Sequence, residues 1–373
     1  MIPKVLHIIY DDPQNPWVGG GGAVRVRELY KRLVGRVDVT VVTGNFPGAK
    51  DETIEGVRYK RLGSRGPYAW SRLTWGRAVN KLIRTTSYDA AIFDFSGYSP
   101  VFLPYGRPTG VTVHHVSEPT AKHRWGSILS SVLGRVERTM MRRASRASAT
   151  SLSSREVIER VAPGMPIDMV GAGVPEELFE IQRRPGNFFL YFGRLDVFHK
   201  GLDTLLEAFA IMVRERPELE LRVAGRGKDA ERVASIAKEL GIARNVTLLG
   251  AVSDDERTNL LVEAAVQLMP SRFEGFGLAA AEAMAAGVPL VAAAVGSLPE
   301  VVDAPRGGVL VPPQDPAALA AAALKLFDDP YGRSTLSITA RESARRFSWS
   351  AVADAHLAFI NNIASGAHVP ATS

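Results

Sequence analysis

The strongest constraint on this chain is the regular alternation of short apolar runs with longer amphipathic stretches along its 373 residues. Runs rich in valine, isoleucine and leucine that alternate with helical patterns are typical of βαβ units, which build parallel sheets covered by helices. The alternation occurs in two series, and the second begins with the run Phe188-Phe-Leu-Tyr-Phe. We therefore predict an α/β protein with two Rossmann-like domains.

Each series predicts its own set of elements. The first has candidate strands at residues 5–10, 37–42, 57–60, 90–93 and 110–114, and candidate helices at 23–34, 73–85 and 128–143. The second starts within 187–193 and continues with candidate strands at 219–224, 246–249, 266–269, 290–293 and 308–311. Ligands of open parallel sheets bind at the carboxyl ends of the strands, so we expect the chemistry in the loops that follow them.

The length of the chain favours two domains, because a single ordinary core holds about 150–200 residues. Proline and glycine interrupt the helical periodicity in Gln-Arg-Arg-Pro-Gly-Asn at 182–187. We predict a first domain at 1–182, a second at 187–346 and a separate terminal helix at 347–373.

Composition excludes several classes of protein. Hydrophobic residues make up 46% of the chain and charged residues 23%, as in soluble globular proteins. The N-terminus is predicted to be the first strand and not a signal peptide, and no apolar run is long enough for a transmembrane helix. The sequence has no cysteine, which excludes disulfides, thiol nucleophiles and thiolate metal sites. We expect a cytoplasmic protein.

Positive charge is concentrated in the first half. Residues 1–180 carry 25 Lys and Arg against 17 Asp and Glu, whereas the remainder carries 20 against 22. This asymmetry indicates contact with an anionic partner, such as membrane lipid or a phosphorylated acceptor, although a solvated basic face is an equal alternative. We expect no nucleic-acid partner.

Two segments of the first half suit a membrane interface. Residues 122–146 have the pattern of an amphipathic helix with a basic face, and Tyr68, Trp70 and Trp75 lie among arginines. A helix that packs its apolar stripe on the sheet is the commoner explanation. Peripheral contact with the inner face of the membrane is therefore an open prediction.

Two glutamates frame the segment Glu274-Gly-Phe-Gly-Leu-Ala-Ala-Ala-Glu282. The first lies in a glycine-rich turn, and the second lies in the helix that this turn opens. A helix N-terminus presents free N–H groups and the positive end of its dipole, which suit a phosphate. Ionised carboxylates accept hydrogen bonds from hydroxyl groups, so this segment fits a nucleotide-sugar.

This segment resembles the E-x7-E signature of the family 4 retaining glycosyltransferases, enzymes of the GT-B fold. The resemblance implies two Rossmann-like domains that face each other across a cleft, with a C-terminal helix that returns to the first domain. The first domain would bind the acceptor, and the second would bind the nucleotide-sugar. It also implies that Glu274 orients the donor sugar and Glu282 contacts the ribose. Backbone N–H groups around Gly275, Phe276, Gly277 and Leu278 would contact the diphosphate.

A second constellation follows the first strand of the second series, in Gly193-Arg-Leu-Asp-Val-Phe-His-Lys-Gly201. Arg194 and Lys200 match the arginine and the Lys-Gly that the same family has here. They would neutralise the departing nucleoside diphosphate, a role that a metal ion fills in other enzymes. The sequence contains no Asp-x-Asp motif, and we expect no metal ion or other cofactor to be required.

Three weaker signals complete the candidate site. Gly21 and Gly22 close a run of four glycines before a helix, and they resemble the family's N-terminal glycine loop near the donor phosphate. Gly225 follows the strand at 219–224 and resembles a residue beside the nucleotide, although a simple turn explains it equally well. His114 ends the strand at 110–114, where the family has a histidine that borders the reacting sugar. The alignment of the strand favours His114, although the neighbouring His115 leaves the register open.

The resemblance implies a metal-independent, retaining glycosyltransferase. Its donor would be a nucleoside diphosphate sugar, and its acceptor a lipid, a polysaccharide or a small metabolite. The predicted catalytic residues are His114, Arg194, Lys200 and Glu274. A nucleotide-sugar epimerase or hydrolase of the same fold is an alternative, with Asp94 and Glu118 as acid–base candidates, and a non-catalytic nucleotide-sugar-binding protein is another.

Overall fold

A computed structural model describes residues 2–18, 20–95, 101–113, 135 and 138–366. The chain divides into two compact units. One unit combines Met1–Ala172 with Trp349–Ser373, and the other is Gly173–Ser348. The second unit begins before the predicted break at 182–187, because Leu178 and Phe179 are buried in the core of that unit.

The first unit is built on a sheet of eight strands in the described residues, in the order β3-β4-β2-β1-β5-β6-β7-β8. All neighbouring pairs are parallel except β3 with β4. The strands are β1 (Lys4–Ile8), β2 (Asp38–Gly44), β3 (Glu52–Ile54), β4 (Val57–Leu62), β5 (Ala90–Asp94), β6 (Thr109–Val113), β7 (Arg146–Ala149) and β8 (Ile167–Met169).

Helices cover both faces of this sheet, and apolar clusters lie on each side of it. The helices are α1 (Gly21–Arg32), α2 (Tyr68–Thr85), α3 (Leu152–Val161) and, at the end of the chain, α12 (Trp349–Ala364). The last of these packs against the first unit, because Phe359 and Ile363 lie over Gly110 of β6. A side chain at Gly110 would overlap both.

The second unit contains a fully parallel sheet of six strands in the order β11-β10-β9-β12-β13-β14. The strands are β9 (Phe188–Phe192), β10 (Glu220–Ala224), β11 (Val246–Gly250), β12 (Val266–Met269), β13 (Leu290–Ala293) and β14 (Val309–Val311). This order is that of the Rossmann fold. The chain reverses its direction of winding between β9 and β12, so the loops after these two strands border the switch point of the sheet.

Helices also flank the second sheet. They are α4 (Val197–Lys200), α5 (Leu202–Glu215), α6 (Ala230–Glu239), α7 (Asp254–Glu263), α8 (Leu278–Ala286), α9 (Leu298–Val302), α10 (Pro316–Phe327) and α11 (Pro330–Ala344). Short 3-10 helices lie at Glu176–Glu180 and Arg345–Phe347. Helix α8 is apolar apart from Glu282, and its residues from Ala280 to Ala286 are buried, so packing fixes its position.

Two predictions about the first half are wrong. The helix predicted at 122–146 ends earlier, since the chain is helical at 138–141 and Arg146 begins β7, which pairs with β6. Trp75 lies in the core and not at the surface, with its ring 5.4 Å from that of Tyr10. Residues 122–134, 136 and 137 of the predicted helix lie outside the described part of the chain.

Candidate functional site

The loop after β9 holds two of the predicted cations. Arg194 is exposed, and its backbone carbonyl accepts a 2.9 Å hydrogen bond from the hydroxyl of Tyr191. Lys200 ends helix α4, whose first turn is capped by the carboxylate of Asp196. Gly201 follows at φ 63°, where a side chain would overlap the carbonyl oxygen of Pro270. Glycine at this position lets the β9 loop approach the β12 loop closely.

The loop after β12 holds Glu274, which lies against Lys200. The Lys200 Nζ donates a 2.6 Å hydrogen bond to the Glu274 Oε2, and the two side chains are 16% and 11% exposed. The hydroxyl of Ser271 donates to the same oxygen at 3.2 Å. A cation and a carboxylate that come from loops 74 residues apart therefore meet at the switch point of the sheet.

The segment between Glu274 and helix α8 forms the expected turn. Gly277 takes a left-handed conformation at φ 90° and precedes the first residue of the helix, Leu278, which is 44% exposed. Gly275 is exposed, whereas the ring of Phe276 packs edge to face on that of Phe347 at 5.3 Å. Among the described residues no side chain caps the helix, so its N-terminal end keeps the positive partial charge that favours an anion.

Glu282 lies inside helix α8 and is only 6% exposed. Its Oε1 accepts a 3.1 Å hydrogen bond from the Nη1 of Arg257 on helix α7. Burial raises the pKa of the Glu282 carboxyl; the charge of Arg257 opposes this shift, and that of Asp254 adds to it. One carboxylate oxygen is thus held by arginine in a site that disfavours a free charge.

Gly225 has a structural role of its own. Its φ is 143°, and a side chain there would overlap the carbonyl oxygen of Gly193 in the β9 loop. The N–H of Gly193 donates in turn to the carbonyl of Ala224 at 3.0 Å. The close approach of the two backbones is sufficient to require glycine at position 225, without any contact to a ligand.

The predicted residues of the first unit are described only in part. Gly21 is the first residue of helix α1 and Gly22 the second. Beyond the helix itself, a side chain at Gly21 would meet no described residue within 4 Å. His114 and Glu118 lie outside the described residues. Asp94, at the end of β5, is buried with its Oδ1 3.3 Å from the Nε2 of the buried His7.

Several side chains at the site were not predicted. Ser271 and Arg257 contact the two glutamates, and Tyr191 contacts the loop of Arg194. Burial raises the pKa of the Tyr191 hydroxyl, and the charge of Glu274 adds to the shift. Ser271 stands three residues before Glu274, a spacing typical of turns, but no sequence signal connects Arg257 with Glu282.

Neither a membrane span nor a metal cluster is found in the described part of the chain. No helix there combines the length and the apolar character that crossing a bilayer requires. Among the same residues, no three histidine, aspartate or glutamate side chains gather closely enough to hold a metal ion.

Two family profiles match the chain one after the other. The profile described as "Glycosyltransferase Family 4" matches residues 19–178, and that described as "Glycosyl transferases group 1" matches residues 175–344. The second match includes Arg194, Lys200, Glu274 and Glu282. The chain belongs to the family 4 glycosyltransferases.

Similar proteins of known name and structure support this family assignment. A D-inositol 3-phosphate glycosyltransferase from Corynebacterium diphtheriae is 34% identical over 205 residues, which are 52% of this chain and 48% of that protein. The alignments with the first such relatives span about half of the relatives' length.

Solved structures identify the fold of this chain as GT-B. A sucrose-phosphate synthase from Thermosynechococcus elongatus has a TM-score of 0.78 at 23% identity, covering 98% of this chain and 100% of the other. HepE from Anabaena, solved in complex with UDP-glucose, has a TM-score of 0.72 at 18% identity, covering 96% and 99%. The prediction of the fold is therefore confirmed.

Proposed function

We propose that this protein is a metal-independent, retaining glycosyltransferase that moves a sugar from a nucleoside diphosphate sugar to an acceptor hydroxyl. The observation that carries the proposal is the meeting of Lys200 with Glu274, 2.6 Å apart, at the switch point of the second sheet. Arg194 extends from the same loop as Lys200, and the N-terminus of α8 follows Glu274. This set provides cations and N–H groups for a diphosphate and a carboxylate for sugar hydroxyls.

The ion pair is compatible with donor binding. An ammonium group has three N–H donors, and Glu274 takes one of them, so Lys200 retains donors for phosphate oxygens. Glu274 would accept hydrogen bonds from sugar hydroxyls, and the second oxygen of Glu282 would accept one from the ribose. The UDP-glucose held by the Anabaena structure of the same fold supports this class of donor.

In the proposed reaction, the acceptor oxygen attacks the anomeric carbon on the face from which the diphosphate departs. The bond from that carbon to the diphosphate oxygen breaks, the bond to the acceptor oxygen forms, and the acceptor proton passes to the leaving phosphate. Arg194 and Lys200 stabilise the charge that develops on the diphosphate, so no metal ion is needed. His114 would border the reacting sugar.

The test is donor cleavage and thermal stabilisation across UDP-, GDP- and ADP-sugars in the presence of EDTA. We expect one donor to stabilise the protein and to be cleaved slowly without divalent metal. Cleavage that requires added metal would overturn the mechanism. No stabilisation by any donor would favour the non-catalytic alternative, and solvent deuterium in the sugar product would favour the epimerase.

Peripheral membrane contact is proposed for the start of helix α2, where Tyr68, Trp70 and Leu73 are 39%, 51% and 45% exposed. Exposed aromatic side chains next to arginines suit the interface of an anionic bilayer. Flotation with phosphatidylglycerol vesicles tests this: Trp70→Ser should reduce binding. The control is Tyr331→Ser, which removes an aromatic side chain that is 84% exposed on α11 of the other unit.

A further inference from the structure

We propose that Phe198, His199 and Phe273 form an aromatic platform that binds a pyranose ring of a carbohydrate acceptor beside the donor site. The proposal rests on the proposed function and narrows it, since it selects a glycan from the acceptors that the sequence leaves open. It concerns the second unit alone.

The two phenylalanines are exposed although they are large and apolar. Phe198 is 61% and Phe273 58% exposed, and their ring centroids lie 5.9 Å apart with the planes 35° from each other. The ring of His199 lies 5.3 Å from the first and 5.7 Å from the second. Grouped exposed aromatic side chains indicate a binding surface more often than isolated ones do.

The platform is held in place by hydrogen bonds between its two loops. The N–H groups of Arg272 and Phe273 both donate to the carbonyl of His199, at 2.9 and 3.2 Å. The guanidinium of Arg272 donates to the carbonyl of Phe198 at 3.1 Å and to the carboxylate of Asp203 at 2.8 Å. The rings therefore stand on a preorganised frame, which lowers the entropic cost of binding a ligand.

The imidazole ring of His199 is also held in place by a side chain of its own loop. Its Nδ1 lies 2.9 Å from both carboxylate oxygens of Asp196. Burial raises the pKa of the Asp196 carboxyl, but the hydrogen bonds from His199 outweigh this, and the net shift is downward. The ionised carboxylate thus orients the imidazole, whose side chain remains 40% exposed.

The platform is continuous with the donor site. Phe273 directly precedes Glu274 and His199 directly precedes Lys200, the two residues that form the 2.6 Å ion pair. A ligand on the platform therefore lies beside the place where the donor sugar is proposed to react. A sugar unit of an acceptor that extends beyond the first unit would be held here.

The chemistry of the platform favours a sugar over a lipid. A pyranose ring has an apolar face of C–H groups that stacks on an aromatic ring, and a rim of hydroxyls that needs hydrogen-bonding partners. The platform offers exposed phenylalanine rings next to the imidazole of His199, which is itself partly exposed. A lipid chain would bring no hydrogen-bonding partner for this imidazole.

The experiment compares the wild-type protein, the double variant Phe198→Ser/Phe273→Ser and the control Tyr331→Ser on an array of neutral glucans, mannans and galactans. Both substitutions of the double variant are at exposed positions, so the fold should be retained, which thermal unfolding checks. We expect the wild type and the control to be retained on at least one class of glycan. Retention of the double variant should fall by about tenfold or more.

Thermal stabilisation by UDP, GDP and ADP is measured on the same three proteins, and we expect it to be unchanged. Absence of wild-type retention on every glycan, or equal retention of the double variant, would overturn the platform. A dimer that the double variant abolishes, or vesicle binding that it abolishes, would assign the surface to another partner. Glycan retention without any donor cleavage would keep the platform and overturn the proposed transferase.

Discussion

Lys200 and Glu274 form an ion pair in which the Nζ and the Oε2 are 2.6 Å apart, although 74 residues separate them in the chain. Both side chains are largely buried, so water screens their attraction less than at a free surface. The pair holds the loops after β9 and β12 together and leaves part of the ammonium available to a phosphate.

Lys200→Met should lower turnover of the donor by about 100-fold, because the departing diphosphate loses a cation in a site with little water. The measurement is the rate of donor cleavage at saturating donor. Lys228→Met, a substitution at an exposed lysine of the same unit, is the matched control. Turnover of Lys200→Met within threefold of the control would contradict the assigned role.

Glu274→Gln should separate sugar transfer from nucleotide binding. The neutral amide orients the sugar hydroxyls less well, so transfer should fall by about 100-fold. It also releases Lys200 from its ion pair, so the affinity for the nucleoside diphosphate should be equal or higher. Isothermal titration with UDP, GDP or ADP measures the affinity for the nucleotide. An equal loss of nucleotide affinity and of transfer rate would assign Glu274 a structural role.

Glu282→Gln should leave the protein at least as stable at neutral pH while it weakens donor binding. Burial raises the pKa of Glu282, so the contribution of this group to stability is full below pH 4.5 and decreases as the pH rises through its folded pKa. Glutamine removes the cost of the buried charge and still accepts a hydrogen bond from Arg257. Thermal unfolding at pH 7.5 and donor titration are the two measurements; a lower melting temperature with unchanged donor affinity would refute the ribose contact.

Gly21→Ala should reduce kcat/KM without loss of stability. A side chain at this position meets no atom of the described residues beyond its own helix within 4 Å, and alanine is favoured over glycine inside a helix by about 0.5–1 kcal/mol. Any loss of activity would therefore reflect a ligand that approaches the start of α1. Unchanged kcat/KM in a folded variant would remove Gly21 from the donor site.

Gly225→Ala should destabilise the protein by about 2 kcal/mol or more, because the added carbon overlaps the carbonyl oxygen of Gly193. Gly241→Ala is the comparison: its φ is also positive, at 74°, but the added carbon meets nothing within 4 Å. That variant should lose only about 1–2 kcal/mol from backbone strain. Equal losses in denaturant unfolding would mean that the contact with the β9 loop is not what requires glycine.

The free energy of unfolding should fall as the pH drops below about 6.5, the usual pKa of histidine. Burial lowers the pKa of His356 well below that value, the charges of Arg25 and His7 add to the shift, and Asp94 opposes it. Below this pH the unfolded chain therefore binds a proton that the folded chain does not. The free energy of unfolding should decrease by up to about 1.4 kcal/mol for each pH unit.

His356→Gln should flatten this dependence, since the amide does not titrate in this range and can still bond to the hydroxyl of Tyr30, which lies 3.1 Å from the His356 Nε2. Urea unfolding of both proteins at pH 7.5 and 5.5 measures the slopes. An identical slope in the variant would show that another group causes the acid sensitivity.

The sequence by itself determined the fold class, and it predicted a candidate site in the loops after the strands of the second sheet. The second sheet has the predicted strands within one or two residues, because each is a short apolar run between helical patterns. The prediction of strands failed where a strand has an atypical composition. The strand β7 reads Arg-Ala-Ser-Ala and lacks β-branched residues, so only its position beside β6 makes it a strand.

Only the tertiary structure decided which side chains meet. The order of the strands places β12 beside β9, and this brings Glu274 to Lys200 and creates the aromatic platform from two distant loops. Arg257 reaches Glu282 from another helix, and Trp75 is buried because its face of α2 packs on Tyr10. The periodicity of apolar residues in a segment determines which face of that segment is buried. Contacts between loops depend instead on which strands are neighbours in the sheet.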